Sequence, residues 1–247
     1  MCTLVLSRRP GQSWPLLIAA NRDEMAGRPS LAPARHWPDR PEITAGLDQL
    51  AQGSWLGMND HGVVAAILNR MGTLGPAAGK RSRGELVLDA LDHADSADSA
   101  RAFADLDGRA WRPFNMIVAD NRDAFWLRSD GTGPIGVSAI GPGLHMISAL
   151  ELNDAASPRL AAYLPRFRAA TLPDPSSGDW REWQILLADH GAGSDTEETA
   201  AMCFRRPSGF GTVSSSLIAL PSPESEDQPV WRYAAGPPDT TEYQRVP

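Results

Sequence analysis

The stretch MCTLVLSRRPGQSWPLLIAANRDE, residues 1–24, decides the fold that this chain is expected to adopt. Its two apolar runs, Thr3–Ser7 and Leu16–Ala20, have the length and composition of β-strands, and turn-forming residues separate them. This spacing predicts a hairpin with a longer loop. Because the second strand of a hairpin ends beside the start of the first, the polar run 21–24 is expected to lie next to Cys2.

Strands and helices are grouped, rather than alternating, along the rest of the chain. A second hairpin is predicted from Gly53–Met58 and Gly62–Leu68, and Ser82 with Glu85 has the spacing of a capping box that begins a helix. The remaining predicted strands are Asn115–Ala119, Ala124–Arg128, Ile135–Ile140, Leu144–Ser148, Thr212–Leu220 and Val230–Ala234. The remaining predicted helices are Ala97–Leu106, Pro158–Ala169 and Trp180–Ala188. This grouping favours an α+β fold with sheets packed face to face and helices outside, in one domain over 1–247.

Composition and charge exclude several classes of function. The 247 residues carry a net charge of −7 and a pI near 5.2, so a nucleic-acid-binding or anionic-membrane surface is not expected. No basic segment precedes an apolar run as in a secretory signal, and the longest apolar runs are far too short to span a bilayer. We therefore expect a cytoplasmic protein without an integral membrane segment.

Motifs for metal, phosphate and serine chemistry are weak. None of the five histidines is four residues from another, and none lies near a cysteine with ligand-like spacing, so no metal site is predicted. The segment 75–82 resembles a phosphate-binding loop but is one residue short between its glycines. No Gly-x-Ser-x-Gly motif is present, which removes the commonest signature of a serine hydrolase.

Cys2 is the strongest candidate for a nucleophile. Removal of Met1, which is normal before a small second residue, would place a free α-amine and a thiol on Cys2. An α-amine has a pKa of about 7.7–8.0, which suits a general base near neutral pH. One residue would then supply both nucleophile and base, without a histidine. The alternative is that Cys2 is a small apolar residue at the start of a buried strand.

The run Asn21, Arg22, Asp23 and Glu24 contains the expected catalytic partners of Cys2. An arginine stabilises a thiolate or an oxyanion, and a carboxylate can hold a protonated amine. Because side chains alternate along a strand, either Asn21 with Asp23 or Arg22 with Glu24 can face Cys2. The alternative for the whole run is a solvated turn.

Asn69 is the third candidate for catalysis. It follows the apolar run Val63–Leu68, whose partner strand carries Trp55 and leads to Asn59. An asparagine at a strand end can donate a hydrogen bond to an oxyanion, although taken alone it is more often a turn residue.

Several motifs together resemble the NRDE family, also called the transport-and-Golgi-organisation family. The resemblance covers nearly the whole chain. It rests on Met1-Cys2-Thr3-Leu4, Ala20–Glu24 with Arg28-Pro29, Gly53–Gly57 with Asn59 and Gly62, Arg81–Val87, Phe114-Asn115, Gly209–Thr212 and Ser214–Ser216. This family is similar to the cysteine-type N-terminal-nucleophile (Ntn) hydrolases, which include bile-salt hydrolases and penicillin V acylases.

The resemblance implies a four-layer αββα sandwich of two mainly antiparallel sheets. It also implies that Cys2 attacks an amide carbonyl and that Asn69 matches the oxyanion-binding asparagine of the hydrolases. Arg22 with Asp23 or Glu24 matches their supporting pair only loosely, because the hydrolases space the two residues as Arg-x-x-Asp.

The chain departs from the family pattern at two places. Where relatives carry a second asparagine, the segment reads Ile147–Ala149 and leaves only Asn153 nearby, and Gly211–Ser215 has valine where relatives have arginine. Loss of one oxyanion donor typically costs about 3 kcal/mol of transition-state stabilisation. With this pattern in view, the predicted substrate-binding residues are Trp55, Asn59, Arg83 and Asn153.

Three functions follow as hypotheses. The first is an amide (carbon–nitrogen) hydrolase or acyltransferase that acts on a small, partly apolar substrate and needs no cofactor. The second is a non-catalytic carrier of haem or an acyl lipid in the same cleft, with Cys2 or His145 as an axial ligand of haem. The third is a structural protein without a ligand. The oligomeric state does not follow from the sequence.

Overall fold

The computed structural model describes residues 2–191 and 200–247, and they form two compact units. The first unit comprises Met1–Gly27 with Pro142–Val246, and the second comprises Arg28–Gly141 with Pro247. Each unit contains one antiparallel sheet and its own helices, so the α+β class is as predicted. The single domain over 1–247 stays a prediction.

The secondary-structure elements are numbered along the chain. The strands are β1 (Thr3–Arg8), β2 (Leu16–Met25), β3 (Ser30–Ala34), β4 (Ile43–Asp48), β5 (Leu56–Asn59), β6 (Val64–Asn69), β7 (Phe114–Ala119), β8 (Ala124–Ser129), β9 (Gly136–Ala139), β10 (Gly143–Ile147), β11 (Phe210–Leu220), β12 (Val230–Ala234) and β13 (Gln244–Arg245). The α-helices are α1 (Gly84–Leu91), α2 (Ser96–Ala104), α3 (Pro158–Ala169) and α4 (Arg181–Leu187).

The sheet of the first unit has the strand order β10-β1-β2-β11-β12-β13. β1 and β2 pair from Thr3 opposite Asn21 to Arg8 opposite Leu16, which confirms the predicted N-terminal hairpin. β2 is five residues longer than predicted, because the polar run 21–24 continues the strand and pairs with β11 along its other edge.

Helices α3 and α4 supply the apolar core of the first unit. Tyr163 and Phe167 of α3 and Trp183 of α4 are fully buried, together with Val5 and Leu17 of the sheet. α3 begins as its sequence predicts, because Pro158 occupies its first turn and the Ser157 side chain accepts a hydrogen bond from the Leu160 amide. This packing holds the start of α3 against the polar end of the β1–β2 hairpin.

The sheet of the second unit has the order β3-β4-β5-β6-β7-β8-β9. The predicted pairing of the 53–58 and 62–68 segments is confirmed as β5 with β6. β3 and β4 were not predicted, because prolines are frequent in that segment. The structure accommodates Pro33 because β3 is an edge strand, where a missing backbone donor costs no ladder bond.

Helix α1 does not begin with the predicted capping box. It starts at Gly84 with Arg83 as N-cap and without a side-chain cap, whereas the Ser82 hydroxyl accepts a hydrogen bond from the Gly84 amide. Glu85 instead forms an ion pair with Arg81 at 2.7 Å. The capping box was therefore wrong, because the Glu85 carboxylate binds Arg81 and accepts a hydrogen bond from the Trp111 indole instead.

Within residues 2–191 and 200–247, none of the helices has the length and apolar character needed to cross a membrane. The longest, α3, has 12 residues, whereas a spanning helix needs about 20.

Candidate active site

Cys2 lies immediately before β1, and its thiol is held by the backbone of Asp23. The Asp23 amide donates to Sγ at 3.4 Å, and the Asp23 carbonyl accepts from Sγ at 3.6 Å. The Ser148 hydroxyl donates to the Cys2 carbonyl at 2.8 Å. Cys2 is a partly exposed residue, and these contacts position its thiol at the open end of the hairpin.

The polar run on β2 is divided between the two faces of the sheet. Because Thr3 pairs with Asn21, the side chains of Thr3, Asn21 and Asp23 lie on one face and those of Cys2 and Arg22 on the other. Of the two arrangements that alternation allows, the structure therefore has Arg22 on the face of Cys2. The solvated-turn alternative is wrong, because residues 21–23 are all buried within β2.

Glu24 shares the Arg22 face by the same alternation but is only partly buried. Its Oε1 accepts a hydrogen bond from the Met25 amide at 2.9 Å, so this carboxylate caps the local backbone. Arg22 itself is 7% exposed. Its positive charge lowers the pKa of the Cys2 thiol, against the opposite and larger effect of the Asp23 charge.

Burial is the largest influence on the Cys2 thiol. It raises the pKa of the thiol, and the negative charge of Asp23 raises that pKa further. The charged amino terminus, the hydrogen bond from the Asp23 backbone and Arg22 lower this pKa. A thiol is a poor nucleophile until it loses its proton, so chemistry at Cys2 requires a base in immediate reach. By comparison, burial and the adjacent Asp239 raise the pKa of Cys203 to about 12, and Cys203 is fully buried.

A buried ionic network holds Asp23 in place. Arg159 at the start of α3 contacts the Asp23 carboxylate at 2.9 Å and donates to the Thr3 hydroxyl at 2.6 Å. The Thr212 hydroxyl on β11 donates to the other carboxylate oxygen at 2.8 Å. The Arg159 and Asp23 side chains are 4% and 0% exposed, so the pair is shielded from water. Because the Asp23 backbone contacts the thiol, this network positions Cys2 indirectly.

Asn21 links the same strand to the end of α4. Its amide nitrogen donates to the carbonyls of Leu187 and Met202, both at 2.9 Å, and its oxygen accepts from the Ser215 hydroxyl at 2.7 Å. Tyr243 in turn donates to Ser215 at 2.7 Å. These bonds use both amide hydrogens on the face opposite Cys2, so the structure favours a positioning role for Asn21 over direct catalysis.

Sequence reasoning missed Arg159, Thr212 and Ser148. Helix periodicity contained a signal for Arg159, because buried positions 160, 163, 164 and 167 place residue 159 on the same face as the core. An arginine on such a face requires a buried acid. Sequence did not indicate Thr212 or Ser148, since each acts through a long-range contact.

Asn153 is engaged with β10. It adopts a left-handed backbone conformation (φ 60°), its side-chain oxygen accepts from the Met146 amide at 2.8 Å, and its amide nitrogen lies 2.9 Å from His145 Nδ1. These contacts stabilise the β10 edge beside β1. Substrate binding by Asn153 and haem ligation by His145 stay predictions.

The other predicted site residues belong to the second unit. Asn69 is the last residue of β6 and pairs with Phe114, and the Trp55 ring packs so closely on Gly46 that an added Cβ there would lie 2.3 Å from it. Arg83 donates to the Thr73 hydroxyl at 3.0 Å and the Pro113 carbonyl at 2.9 Å. Catalysis by Asn69 and binding by Trp55 and Arg83 stay predictions.

The side-chain amide of Asn59 makes four hydrogen bonds to backbone groups of the second unit. The nitrogen donates to the carbonyls of Leu91 and His93, and the oxygen accepts from the amides of His61 and Val63. The side chain thereby closes the β5–β6 turn and supplies hydrogen bonds to carbonyl groups at the end of α1. This saturation favours a structural role over the predicted substrate binding.

We predict that Asn59→Ala lowers the free energy of unfolding by about 3 kcal/mol, because buried backbone groups lose their partners. Asn59→Asp, which would place a buried carboxylate against the Leu91 and His93 carbonyl oxygens, is expected to lose at least as much. Urea unfolding monitored by circular dichroism measures both. A loss below about 1 kcal/mol for the alanine variant would contradict the structural role.

Solved structures similar to this chain identify its fold. The chain is similar over its full length to an N-acylethanolamine-hydrolyzing acid amidase ortholog from Caenorhabditis elegans, with a TM-score of 0.53, 12% identity and all of that chain covered. A variant of conjugated bile acid hydrolase from Clostridium perfringens gives 0.52 and 12% identity, with 100% of this chain and 96% of that one covered. Penicillin V acylase from Agrobacterium tumefaciens gives 0.50 and 12%, with 95% and 83% covered. At these identities the likeness concerns the fold, which is that of the Ntn hydrolases.

The family is established from sequence. The family model "Transport and Golgi organisation 2" matches residues 1–174, and the chain therefore belongs to this family. Curated relatives include the Transport and Golgi organization protein 2 homologs of Homo sapiens, 36% identical, and Bos taurus, 35% identical, each over 113 residues and 44% of this chain. The chain covers 40% of the length of these relatives. Both the family and the fold agree with the resemblance found in the sequence.

Proposed function

We propose that this protein is an N-terminal-nucleophile hydrolase in which Cys2, after removal of Met1, cleaves a carbon–nitrogen (amide) bond. The observation that carries the proposal is the Cys2 thiol held on the Asp23 backbone beside Arg22, with Asp23 anchored by Arg159 and Thr212. Such anchoring prepositions a nucleophile before substrate arrives.

The α-amine of Cys2 would act as the general base. It takes the thiol proton as sulfur attacks the amide carbonyl carbon, and it returns that proton to the leaving nitrogen as the carbon–nitrogen bond breaks. The product is a thioester on Cys2, which water then hydrolyses to the free acid and the thiol. A nearby base is needed because burial raises the pKa of this thiol.

Arg22 would favour the charged form of the nucleophile. Its positive charge lowers the pKa of the Cys2 thiol, so it favours thiolate character. The role of Asn69 as an oxyanion donor stays what the sequence resemblance implies. A donor of this kind contributes about 3 kcal/mol to transition-state stabilisation.

The proposed substrate is an amide of a small, partly apolar acid. Support comes from the structural neighbours, which are described as hydrolases or acylases of an N-acylethanolamine, a conjugated bile acid and penicillin V.

An alternative proposal is a carrier of haem or an acyl lipid. Its support lies after β10, where the sequence lacks the second asparagine of the hydrolases and the Ser148 hydroxyl is bonded to the Cys2 carbonyl. A pocket without that donor would bind an acyl group without cleaving it efficiently.

The decisive experiment compares two forms of one chain. A removable N-terminal extension blocks the Cys2 amine, and its proteolytic removal leaves Cys2 as the first residue. Both forms are incubated with N-acyl p-nitroanilides of increasing acyl length, and acyl adducts are located by intact-mass and peptide mass spectrometry. The mass of the unextended protein from cells reports whether Met1 is lost.

We expect turnover and a thioester on Cys2 only after the extension is removed. Equal turnover in both forms would exclude the α-amine as base. Binding of haem or fatty acid in both forms, without turnover in either, would favour the carrier.

A further inference from the structure

A second group of reactive side chains lies in the first unit, away from the β1–β2 hairpin in sequence. The Nε2 of His190, the Sγ of Cys203 and a carboxylate oxygen of Asp239 all lie within 4.8 Å of one another. His190 Nε2 is 3.2 Å from Asp239 Oδ2, and Cys203 Sγ donates to Asp239 Oδ1 at 3.4 Å. We name these three residues the His-Cys-Asp cluster.

Backbone contacts bring the three residues together. The Asp189 carbonyl accepts hydrogen bonds from the amides of Met202 and Cys203, so His190 is held beside Cys203. Phe204 then pairs with Thr212, which anchors the segment to β11. Since these bonds involve the main chain, the cluster geometry does not depend on its three side chains alone.

Asp239 enters the cluster from the C-terminal segment. The amides of Thr240 and Thr241 both bond the Pro237 carbonyl, at 3.1 and 3.0 Å, and form a tight turn around Asp239. The Asp239 side chain is 16% exposed, whereas Cys203 is fully buried and the His190 side chain is 59% exposed. The cluster therefore has a closed side at Cys203 and an open side at His190.

The chemistry of the three side chains matches one class of cation. A thiolate, an imidazole and a carboxylate together suit a borderline-soft divalent ion, of which Zn²⁺ is the commonest in proteins. Zn–S bonds of about 2.3 Å and Zn–N or Zn–O bonds of about 2.0 Å at tetrahedral angles place ligand atoms about 3.5 Å apart. In the cluster, the 3.2 Å contact of His190 is with Asp239 Oδ2 and the 3.4 Å contact of Cys203 is with Asp239 Oδ1. Because one ligand atom from each residue lies within 4.8 Å of the others, binding requires these atoms to approach one another by at most about 1.3 Å.

We propose that His190, Cys203 and Asp239 bind one Zn²⁺ ion and leave its fourth coordination position open to water. Binding replaces the thiol proton of Cys203, which is released to solvent. Three protein ligands with one open position is the arrangement of zinc sites that bind an exchangeable ligand. The proposal is independent of hydrolysis at Cys2.

Arg205 is the neighbouring group that competes with a cation. Its Nη2 lies 3.3 and 3.4 Å from the two Asp239 oxygens and 3.0 Å from the Thr240 hydroxyl. Its positive charge repels a divalent ion, and it contacts both carboxylate oxygens, so Zn²⁺ has to displace it from at least one of them. Arg205→Gln is therefore a variant outside the ligand set.

Sequence spacing did not predict this site. Thirteen positions separate residues 190 and 203, and residue 239 comes 36 positions later, which matches no zinc signature. Only the fold of the C-terminal segment brings the three side chains together.

The test measures binding of Zn²⁺ alone to the metal-stripped full chain by equilibrium dialysis, with Co²⁺ as a spectroscopic substitute. We expect one Zn²⁺ per chain and a thiolate-to-Co²⁺ charge-transfer band. Cys203→Ser is expected to weaken binding at least about 100-fold and to abolish the band, since loss of a ligand exceeds loss of an outer-shell partner. His190→Gln, at an exposed position, tests the site without disturbing the buried segment.

The matched control is Cys2→Ser, the same substitution at the other cysteine, which should leave affinity and band unchanged. Arg205→Gln should bind Zn²⁺ at least as tightly as the unsubstituted chain. Failure to bind one equivalent, or full binding and an intact band in Cys203→Ser or His190→Gln, would overturn the proposal. Loss of binding only in Cys2→Ser would also overturn it, because the ion would then lie at the N-terminus.

Discussion

Cys2→Ala is expected to reduce amide hydrolysis to the background rate, a loss of about 10⁶-fold if removal of another enzyme's nucleophile is a guide. The reason is that the Asp23 amide and carbonyl hold Sγ of Cys2, which is the proposed nucleophile. Steady-state turnover of the best N-acyl p-nitroanilide, with adduct mapping by mass spectrometry, measures the effect.

Cys2→Ser is a more conservative substitution for the same test. It replaces the thiol beside the α-amine by a less nucleophilic hydroxyl, so turnover should fall strongly while substrate still binds. A matched surface control is Ile185→Ala on α4, where the side chain is 60% exposed. Turnover that survives in Cys2→Ala would refute the mechanism and direct the search to another nucleophile.

Arg159→Met is expected to lower the free energy of unfolding by about 3–5 kcal/mol, the largest stability effect that we predict. The variant leaves the fully buried Asp23 carboxylate without its cation and the Thr3 hydroxyl without its donor. Removing one partner of a buried pair costs more than the pair contributes, because the remaining charge stays out of water. Urea unfolding gives the value.

A double-mutant cycle separates the pair from simple loss of packing. Asp23→Asn removes the negative charge and keeps the shape, so the Asp23→Asn/Arg159→Met protein should be more stable than the sum of the two single effects predicts. Strict additivity would show that the two side chains do not interact. If Arg159→Met lowered the free energy of unfolding by less than about 1 kcal/mol, another group would have to compensate the negative charge of Asp23.

Local sequence patterns were sufficient for much of the fold. Apolar runs and turn residues located the β1–β2 and β5–β6 hairpins, and Pro158 marked the start of α3, because these signals act between neighbouring residues. The patterns failed at β3, where an edge position tolerates Pro33, and at Ser82, where Glu85 pairs elsewhere. At β3 the position in the sheet decided the outcome, and at Ser82 the contacts of Glu85 with Arg81 and Trp111 replaced the reciprocal bond.

The sequence likewise predicted some features of the candidate site, and only the structure decided others. The hairpin was enough to place Cys2 beside the 21–24 run, because antiparallel pairing follows from the turn between two strands. Alternation then left two arrangements, and only the register with β1 selected Arg22 as the side chain facing Cys2. Sequence also proposed substrate binding for Asn59, whose amide the structure uses entirely for backbone groups.

By itself, the amino-acid sequence determined the α+β class, the family and the placement of Cys2 beside a polar strand. Tertiary structure alone decided that Arg159 neutralises Asp23 and that His190, Cys203 and Asp239 come together. The physical reason is distance along the chain. Residues 23 and 159 are 136 positions apart, and such contacts depend on how helices and strands pack rather than on any local preference.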